Sequence, residues 1–518
     1  MYIFTPLTMA ILNIDLDWQR HKWPLFYCFV SLFGAFCYGY DTIYYTGIQG
    51  MEPFIHDYGT KTQGGTYVLE TTFLSVTASV IYAGEFCGAL MTAPINDAWG
   101  RKAVFYSASI CIIAGAIIQV CLFGIYGAFC AGRVLIGLGI GQFTATCLIY
   151  INEVAPAEIR GPALMSFQFM QSISQFIGAC ITQGTQSIDS PSSYRIPMGL
   201  LMVLPGIMII LLPFIPESPV WCVSKSRYEA AEAALRKIYR MQDYNPAQDL
   251  RLIQEQVDKE REMESESSWS SLFKDPIERR KLLYSCGAMF VQQINGIQFW
   301  YTYGVVFAQS IGVGEPFTIN TVIYVLQIIT VGVSVALGNK LRRRTNLLVC
   351  TIGMMCSLVA VGGLGTTRQG GSFTQSVGIA IVVFAYINIV FFNFSIGTLS
   401  YTISSEMAVG RNRNKITACA MGVFFFTVWL ITFVCPYIYY SANLGPMLGF
   451  VFGGTSLICL LYIWFCVGET TGRTNNEISQ LFKEKVPVRQ WKNHVLEQEY
   501  GAEEDMKSSS IQEIEHPV

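Results

Sequence analysis

Charged residues are scarce in this sequence. Asp, Glu, Lys and Arg make up 14% of the 518 residues, whereas about 25% is usual for a soluble globular protein. The formal net charge is −2, so the chain has no excess of basic residues with which to bind a nucleic acid. This composition excludes a soluble enzyme, a disordered scaffold and a nucleic-acid-binding protein.

Patterns for metal ions, cofactors and disulfides are missing too. The 16 cysteines form no CxxC pair, and most lie in apolar runs, where cysteine is a small buried hydrophobe. The four histidines lie outside those runs. We therefore expect no metal site, no cofactor and no enzymatic activity. The first 22 residues contain Asp15 and Asp17 and lack the basic start of a cleaved signal peptide.

Hydrophobic residues are abundant instead, at 52% of the chain, and the mean hydropathy is +0.41. A membrane-spanning helix needs roughly 20 apolar residues, so this content is enough for on the order of a dozen spans. Apolar windows predict twelve, at about 25–46, 72–93, 104–123, 128–150, 164–184, 197–215, 282–308, 317–337, 347–366, 376–403, 416–440 and 446–467. The chain is thus predicted to be an all-α polytopic membrane protein.

A polar stretch divides the twelve spans into two groups of six. Within it, residues 226–240 and 248–262 have the spacing of short amphipathic helices. A second polar stretch follows the last span, and we expect part of it to be disordered. The predicted divisions are an N-terminal segment, a first bundle, a linker, a second bundle and a tail, at 1–24, 25–215, 216–281, 282–467 and 468–518.

Lys and Arg are distributed unequally between the two sides of the predicted membrane. With both termini on one side, that side holds all but four of the 34 basic residues. The exceptions are Lys61, Arg133, Arg195 and Arg368. Because basic residues favour cytoplasmic loops, we place both termini in the cytoplasm.

The two groups of spans also match each other in sequence. A Glu followed seven residues later by an Arg occurs after the fourth span and recurs 253 residues later, after the tenth. A Glu after the sixth span recurs after the twelfth at nearly the same offset. These residues are Glu153 with Arg160, Glu406 with Arg413, and Glu217 with Glu469. The repeat predicts a duplicated six-span unit, an arrangement typical of transporters.

Six short motifs follow one another along the chain. They are GYDT (39–42), NDAWGRK (96–102), GR with GLGIG (132–141), PESP (216–219), QQINGI (292–297) and ETTGR (469–473). At this spacing they resemble the sugar porter family of the major facilitator superfamily, and LFKEKVPVR (481–489) is similar to its fungal members. The resemblance implies two pseudo-symmetric six-helix bundles in a monomer of the plasma membrane. It implies a small sugar, a proton and the lipid bilayer as partners, and no nucleic acid.

Asp41 and Arg133 are ionisable residues inside predicted spans. Such residues are costly in a membrane and usually have a function there. In proton-linked porters that this chain resembles, the matching pair couples proton movement to transport, and facilitators commonly have a neutral residue at the Asp41 position. The alternative is a static ion pair that joins two helices. Glu85 is a third such residue; we favour a hydrogen bond to a neighbouring helix, with a second proton site as the alternative.

Nine charged residues fall at the predicted cytoplasmic ends of spans. Acids stand regularly beside bases, which simple positive-inside anchoring does not explain. We interpret them as an ion network between the two halves that holds the cytoplasmic mouth shut. Exposed pairs contribute only about 0–1 kcal/mol each, so such a gate depends on several pairs together. The residues are Asp97, Arg101, Glu153, Arg160, Glu217, Arg343, Glu406, Arg413 and Glu469.

A sugar site should be polar but uncharged, because hydroxyls need both donors and acceptors and an amide side chain supplies both. Gln168 and Gln175 are seven residues apart, so they share a helical face. The resemblance implies that these two, with Gln292, Gln293 and Gln298, contact the sugar. Their alternative role is to bridge helices.

The tenth and eleventh spans depart from the family pattern. Tyr401 stands where many hexose porters have Trp, and we include it among the sugar-binding residues. Thr398 and Ser400 replace prolines, which puts the usual break of that helix in doubt. Phe424 replaces a polar residue, so glucose cannot be assumed as the substrate.

Together these features favour a proton-coupled sugar importer that works by alternating access. Three alternatives stay open at this stage. The chain could be an uncoupled sugar facilitator, a porter of a disaccharide, polyol, quinate or sugar acid, or a nutrient sensor that does not transport. The tail of about 50 residues argues against the sensor, because sensors of this family tend to have much longer tails.

Overall fold

The computed structural model describes residues 18–494, apart from 63, 241–243, 313, 338–340, 369–372, 472 and 493. Residues 1–17 of the predicted N-terminal segment and 495–518 of the predicted tail lie outside this part of the chain. Helices dominate the described residues, and the two strands β1 (Thr60–Lys61) and β2 (Tyr67–Val68) form one small antiparallel hairpin. The all-α prediction is therefore correct.

Helices of the first half follow the predicted spans closely. The first span consists of two consecutive helices, and so does the sixth. The helices are α1 (Trp18–Ser31), α2 (Phe33–Ile48), α3 (Glu52–Tyr58), α4 (Thr71–Trp99), α5 (Arg101–Cys121), α6 (Tyr126–Val154), α7 (Ala157–Thr185), α8 (Ser192–Leu200) and α9 (Val203–Leu211).

The linker and the second half contain the remaining helices. The linker has α10 (Pro219–Ser224), α11 (Tyr228–Tyr239), α12 (Pro246–Glu266) and α13 (Trp269–Lys274). The second half has α14 (Pro276–Ile294), α15 (Ile297–Ile311), α16 (Pro316–Leu337), α17 (Arg343–Gly365), α18 (Gln375–Phe391), α19 (Gly397–Met407), α20 (Arg413–Pro436) and α21 (Leu448–Cys466), and the tail has α22 (Asn475–Lys483).

Ten helical segments of the described chain are long and apolar enough to cross a membrane, by length and composition. They correspond to ten of the twelve predicted spans. The fifth and seventh spans are present as α7 and as the pair α14 and α15 but are not among these ten. Both carry several glutamines, and α14 also begins with a charged turn. Their polar residues explain why a criterion of length and apolar content does not select the fifth and seventh spans.

Close helix packing builds each half, as between α4 and α6. A Cβ atom on Gly141 would clash with the carbonyl oxygen of Glu85, and one on Gly88 would clash with that of Leu138. Small residues allow this approach, which gives backbone-to-backbone contact in a membrane. Between the halves, α2 packs against α15, α4 against α20, and α7 against α16.

Helix α18 continues into α19 through one wide π-helical turn, Phe392–Ile396. The proline break that the replacement of prolines by Thr398 and Ser400 put in doubt is absent from this helix. A π-turn inserts one extra residue into a helix and often marks a functional site. Here it changes the direction in which the following residues face.

The linker lies at one end of the bundle, which we call the insert side; the other end is the far side. Helices α10 to α12 form a small core around Trp221, Ala231 and Val257. Part of the predicted tail is ordered on the same side: Trp491 is buried against Gly468 and the Phe482 ring. The expected disorder therefore does not apply to this part of the tail.

Candidate functional site

A cavity of about 740 Å³, including its open mouth, lies between the two halves. All six residues predicted to bind a sugar line it. They are Gln168, Gln175, Gln292, Gln293, Gln298 and Tyr401.

The break between α14 and α15 directs three of these glutamines into the cavity. Gly296 has φ +80°, a left-handed conformation that favours glycine. The preceding Asn295 accepts a hydrogen bond from the backbone N–H of Ile297 at 3.0 Å, which starts α15. Gln292 and Gln293 therefore end one helix, and Gln298 lies in the first turn of the next.

Hydrogen bonds hold several of these amide groups in place. Gln292 Nε2 donates to the carbonyl oxygen of Gly397 at 2.9 Å, just after the π-turn. From the other half, Gln175 Oε1 accepts from Gln327 Nε2 at 2.7 Å. The cavity wall is therefore joined across the two halves by neutral side chains.

Three buried amide oxygens at the cavity have no hydrogen-bond partner among the described residues. They are Oε1 of Gln292, Gln293 and Gln327. Burying an acceptor without a donor costs about 1–3 kcal/mol, so these atoms favour a bound molecule with donor groups. Hydroxyl groups meet this requirement.

Aromatic side chains form the rest of the wall. Tyr301 accepts a hydrogen bond from Asn393 Nδ2 at 2.7 Å, and Tyr82 bonds to Gln298 across the two halves. Tyr401 is exposed to the cavity and packs against the Phe424 ring, 5.7 Å between centroids. Phe424 thus presents an apolar surface where the family pattern has a polar residue.

The Asp41–Arg133 pair is buried beside this cavity. Arg133 Nη1 lies 3.1 and 3.4 Å from the two Asp41 oxygens, and both residues are 2% exposed. Arg133 also donates to the carbonyl oxygen of Thr77, and its guanidinium lies 4.3 Å from the Tyr45 ring centroid. Thr42, next to Asp41, lines the cavity. The ion pair therefore lies beside the candidate sugar site, because the residue that follows Asp41 in the chain lines the cavity.

Two matching ion clusters lie on the insert side. In the first half, Arg101 binds Glu153 through two hydrogen bonds of 2.6 and 2.8 Å, and Glu217 accepts from the backbone N–H of Arg101 at 3.0 Å. In the second half, Arg343 bonds to Glu406, and Glu469 accepts from the backbone N–H of Arg343 at 3.0 Å. The sequence repeat is thus reproduced in three dimensions.

These clusters do not form the expected network between the halves. The two ion pairs that the described structure shows among these nine residues, Arg101–Glu153 and Arg343–Glu406, each join residues of one half only. Arg160 donates to the carbonyl oxygen of Ala155 at 3.3 Å, because α6 ends and α7 begins between them. Asp97 and Arg413 are exposed at helix ends. A role of the nine residues in closing the mouth stays a prediction for another conformation.

Other hydrogen bonds do join the halves, and those beyond the cavity lie on the far side. Thr46 donates to the carbonyl oxygen of Tyr301 at 2.7 Å. Gln309 donates to that of Gly50 at 2.8 Å, and Gln183 donates to Thr318 at 3.0 Å. Among the described residues no such bond is found on the insert side, so this conformation is closed on the far side.

Comparison with known proteins agrees with this geometry. The family model described as sugar (and other) transporter matches residues 27–482. The chain belongs to this family. It is therefore an integral membrane sugar transporter of the major facilitator superfamily, and it is not an enzyme, as the sequence predicts.

Curated relatives match along most of this transporter. The low-affinity glucose transporter HXT3 of Saccharomyces cerevisiae is 28% identical over 467 residues, which cover 89% of this chain and 82% of that relative. A low-affinity glucose transporter of Kluyveromyces lactis is 26% identical over 93% of this chain and 87% of its own length.

Solved structures share the fold. The xylose transporter XylE of Escherichia coli, in a partially occluded inward-open conformation, matches 88% of this chain and 100% of its own, with a TM-score of 0.72 and 19% identity. A peptide transporter of the POT type matches with a TM-score of 0.57 and 15% identity. The predicted major facilitator fold is confirmed.

Several cavity residues of this transporter were not predicted from its sequence. Gln171 lies three residues after Gln168 on the same face of α7, so helical spacing alone could have identified it. Gln327, Tyr38 and Tyr82 had no comparable signal, because an isolated polar or aromatic residue in a span is equally common at a helix contact.

Proposed function

We propose that this transporter imports a neutral sugar together with a proton by alternating access. The observation that carries the proposal is the buried Asp41–Arg133 pair beside a cavity lined by neutral amide and phenol groups. Proton coupling requires a carboxyl that is ionised in one state and neutral in another, with a cation nearby. Asp41 and Arg133 have that chemistry.

A neutral sugar is favoured over a sugar acid such as quinate. An anionic substrate needs a cation in its site, and the described cavity lining contains no Lys or Arg. Arg133 is already engaged by Asp41. The unpartnered amide oxygens support a molecule rich in hydroxyl donors. The relatives named as glucose transporters make a hexose the first sugar to test, and a disaccharide or polyol remains an alternative.

During transport the far side would open while the insert side closes. When Asp41 is ionised, its charge is neutralised by Arg133; protonation of Asp41 ends that attraction and lets the two helices separate. The far-side bonds between the halves would then break as the insert side closes. The insert-side clusters would come together at that stage, where their acids and bases are suited to pair across the halves.

We also propose that the insert side faces the cytoplasm in a plasma-membrane monomer. The distribution of Lys and Arg supports this orientation. Cysteine labelling of a cysteine-free variant tests it: a cysteine placed at Lys61 should react with an impermeant reagent on intact cells, and one placed at Lys259 should react only after permeabilisation. The reverse result would contradict the orientation.

Uptake of labelled sugars tests the substrate and the coupling. Hexoses, pentoses, disaccharides and sugar acids are given to yeast that lacks its own sugar transporters, at two pH values. A neutral sugar should be accumulated, and a protonophore should abolish the accumulation.

Asp41→Asn should lose accumulation against a gradient while retaining exchange of sugar across the membrane. Glu70→Gln is the matched control, since Glu70 is an exposed carboxyl at the start of α4. Normal accumulation by the Asp41→Asn variant would show that the proposed coupling is wrong.

An uncoupled facilitator is the second candidate. Arg133 is held by Asp41, Thr77 and Tyr44 together, which is also what a permanent brace between helices requires. In that case wild-type uptake would equilibrate the sugar without accumulation and would not respond to a protonophore.

A further inference from the structure

Glu85 is a buried carboxyl that neither the sugar cavity nor the Asp41–Arg133 pair accounts for. It stands at the midpoint of the 29-residue helix α4 and is 2% exposed. At 1.5 Å per residue, roughly 20 Å of helix separates it from either end. The carboxyl is therefore at the depth of the cavity, far from both membrane surfaces.

The surroundings of Glu85 bring together the cavity wall and the ion pair. The titratable or charged groups within electrostatic range of its carboxyl are Tyr38 and Asp41 on α2, Tyr82 on α4, Arg133 on α6 and Tyr401 on α19. The other helices packed against α4 are α5 and α20, and their charged residues are confined to the first turn. The turn Tyr437–Ser441, which also touches α4, contributes tyrosines.

Glu85 differs from the other buried acids because no partner for it is found among the described residues. Three acids of the described chain are buried, namely Asp41, Glu85 and Glu278. Asp41 pairs with Arg133 at 3.1 Å, and Glu278 pairs with Lys281 at 2.8 Å. No described residue forms a salt bridge or hydrogen bond with Glu85, so the hydrogen bond to a neighbouring helix expected from the sequence is not formed. A buried carboxylate without a partner is strongly disfavoured, and such a group takes up a proton instead.

The charges of the buried residues also indicate that Glu85 is protonated. Asp41, Glu85 and Arg133 comprise two carboxyls and one guanidinium, so the group is neutral only when it holds one proton. The geometry gives the guanidinium to Asp41. The proton is then left for Glu85.

Building on the proposed proton coupling, we propose that Glu85 is a second proton-binding site, which holds a proton while Asp41 is paired with Arg133. The proton comes from water on the side to which the cavity is open. It forms an O–H bond on the Glu85 carboxylate and returns to water when that bond breaks, and no other bond changes. Asp41, Glu85 and Arg133 together are thereby neutral while Asp41 is paired with Arg133.

Sugar exchange at equal pH on both sides of a proteoliposome tests this site separately from coupling, because exchange needs no proton gradient. The probe is the labelled sugar taken up best in the panel above. Exchange by the wild type should fall about tenfold per pH unit once Glu85 ionises. Glu85→Gln, which cannot ionise at this position, should decline less steeply than the wild type, because only the protonation of Asp41 still depends on pH. Glu70→Gln should follow the wild type. An alkaline decline in Glu85→Gln equal to that of the wild type overturns the proposal, whatever Asp41→Asn does to accumulation.

Infrared spectroscopy of the wild-type protein keeps the proposal testable if the Glu85→Gln variant does not fold. At neutral pH the wild type should show the C=O band of one protonated carboxylic acid, because the other two buried acids are paired. Absence of that band overturns the proposal. Where Glu85→Gln folds, it should lose the band and Glu70→Gln should keep it; persistence of the band in Glu85→Gln also overturns the proposal.

Discussion

The two halves of this transporter match in fold and differ in chemistry. The first half holds the charged residues at membrane depth, namely Asp41, Glu85 and Arg133. The second half supplies neutral amides to the cavity, including Gln292, Gln293 and Gln298. At the insert side, by contrast, the halves carry equivalent clusters around Arg101 and Arg343. The duplication has thus been kept where the halves must move alike, and it has diverged where they bind different things.

This difference indicates a division of work. A proton needs a titratable group buried at membrane depth, and among the described residues the acids at that depth, Asp41 and Glu85, lie in the first half. A sugar needs many neutral donors and acceptors, and most of those come from the other half. We therefore expect substitutions of the buried charged residues of the first half to alter coupling, and substitutions of the cavity amides, most of which belong to the second half, to alter sugar affinity.

Loss of the membrane-depth cation should have the largest effect. Arg133→Leu leaves Asp41 buried without its partner, and removing one member of a buried pair costs about 3–5 kcal/mol. We expect loss of transport and a marked fall in melting temperature, measured by fluorescence-detected size exclusion. Arg133→Lys, which keeps the charge but not the planar fork, should recover part of the stability. Equal stability of Arg133→Leu and wild type would contradict this account.

A cavity amide of the second half should have the next largest effect. Gln293→Ala removes an unpartnered acceptor that faces the cavity, and a lost hydrogen bond to substrate is worth about 1–2 kcal/mol. The KM for the sugar should rise roughly 5- to 30-fold by the same arithmetic. Sensitivity of uptake to a protonophore should be unchanged.

The control for this variant is Gln256→Ala, on the exposed linker helix α12, where the side chain contacts Glu260. It should leave the KM as in the wild type. A change in protonophore sensitivity without a change in KM would break the proposed division between the halves.

The ordered tail of the second half should show the smallest effect. Thr474 caps α22: its hydroxyl accepts from the backbone N–H of Glu477 at 3.3 Å, and the Glu477 carboxylate accepts from the backbone N–H of Thr474 at 2.6 Å. Thr474→Ala should destabilise this helix by about 1 kcal/mol. Hydrogen exchange of the α22 amides would measure it, and unchanged protection would count against the cap.

The same cap predicts a pH dependence. The hydrogen bond from Thr474 holds the pKa of Glu477 below its usual value of 4.5. A depressed carboxyl pKa stabilises the folded state above the unfolded value. Protection of α22 should therefore be full at neutral pH and fall as the pH drops below 4.5 through the folded pKa. Glu477→Gln should remove this dependence.

The sequence allowed prediction of the parts of the site that repeat at helical spacing or match a motif. Gln168 and Gln175 share one face of a helix, and Gln292 and Gln293 belong to the QQINGI motif. Gln327 was not predicted, because its position opposite Gln175 depends on how α16 packs against α7. Spacing along one chain does not specify which faces of two distant helices meet.

Composition and periodicity by themselves determined that this protein is a helical membrane protein, with about twelve spans in two related halves and few charges at depth. These properties follow from the transfer of apolar side chains out of water and from the cost of burying charge, which act on each segment separately. Only the tertiary structure decided which charges are neutralised. It paired Asp41 with Arg133, kept each insert-side cluster within its own half, and gave Glu85 no partner in the part of the chain that is described. Pairing depends on distances of a few ångströms between helices far apart in the chain, and no property of a single segment sets those distances.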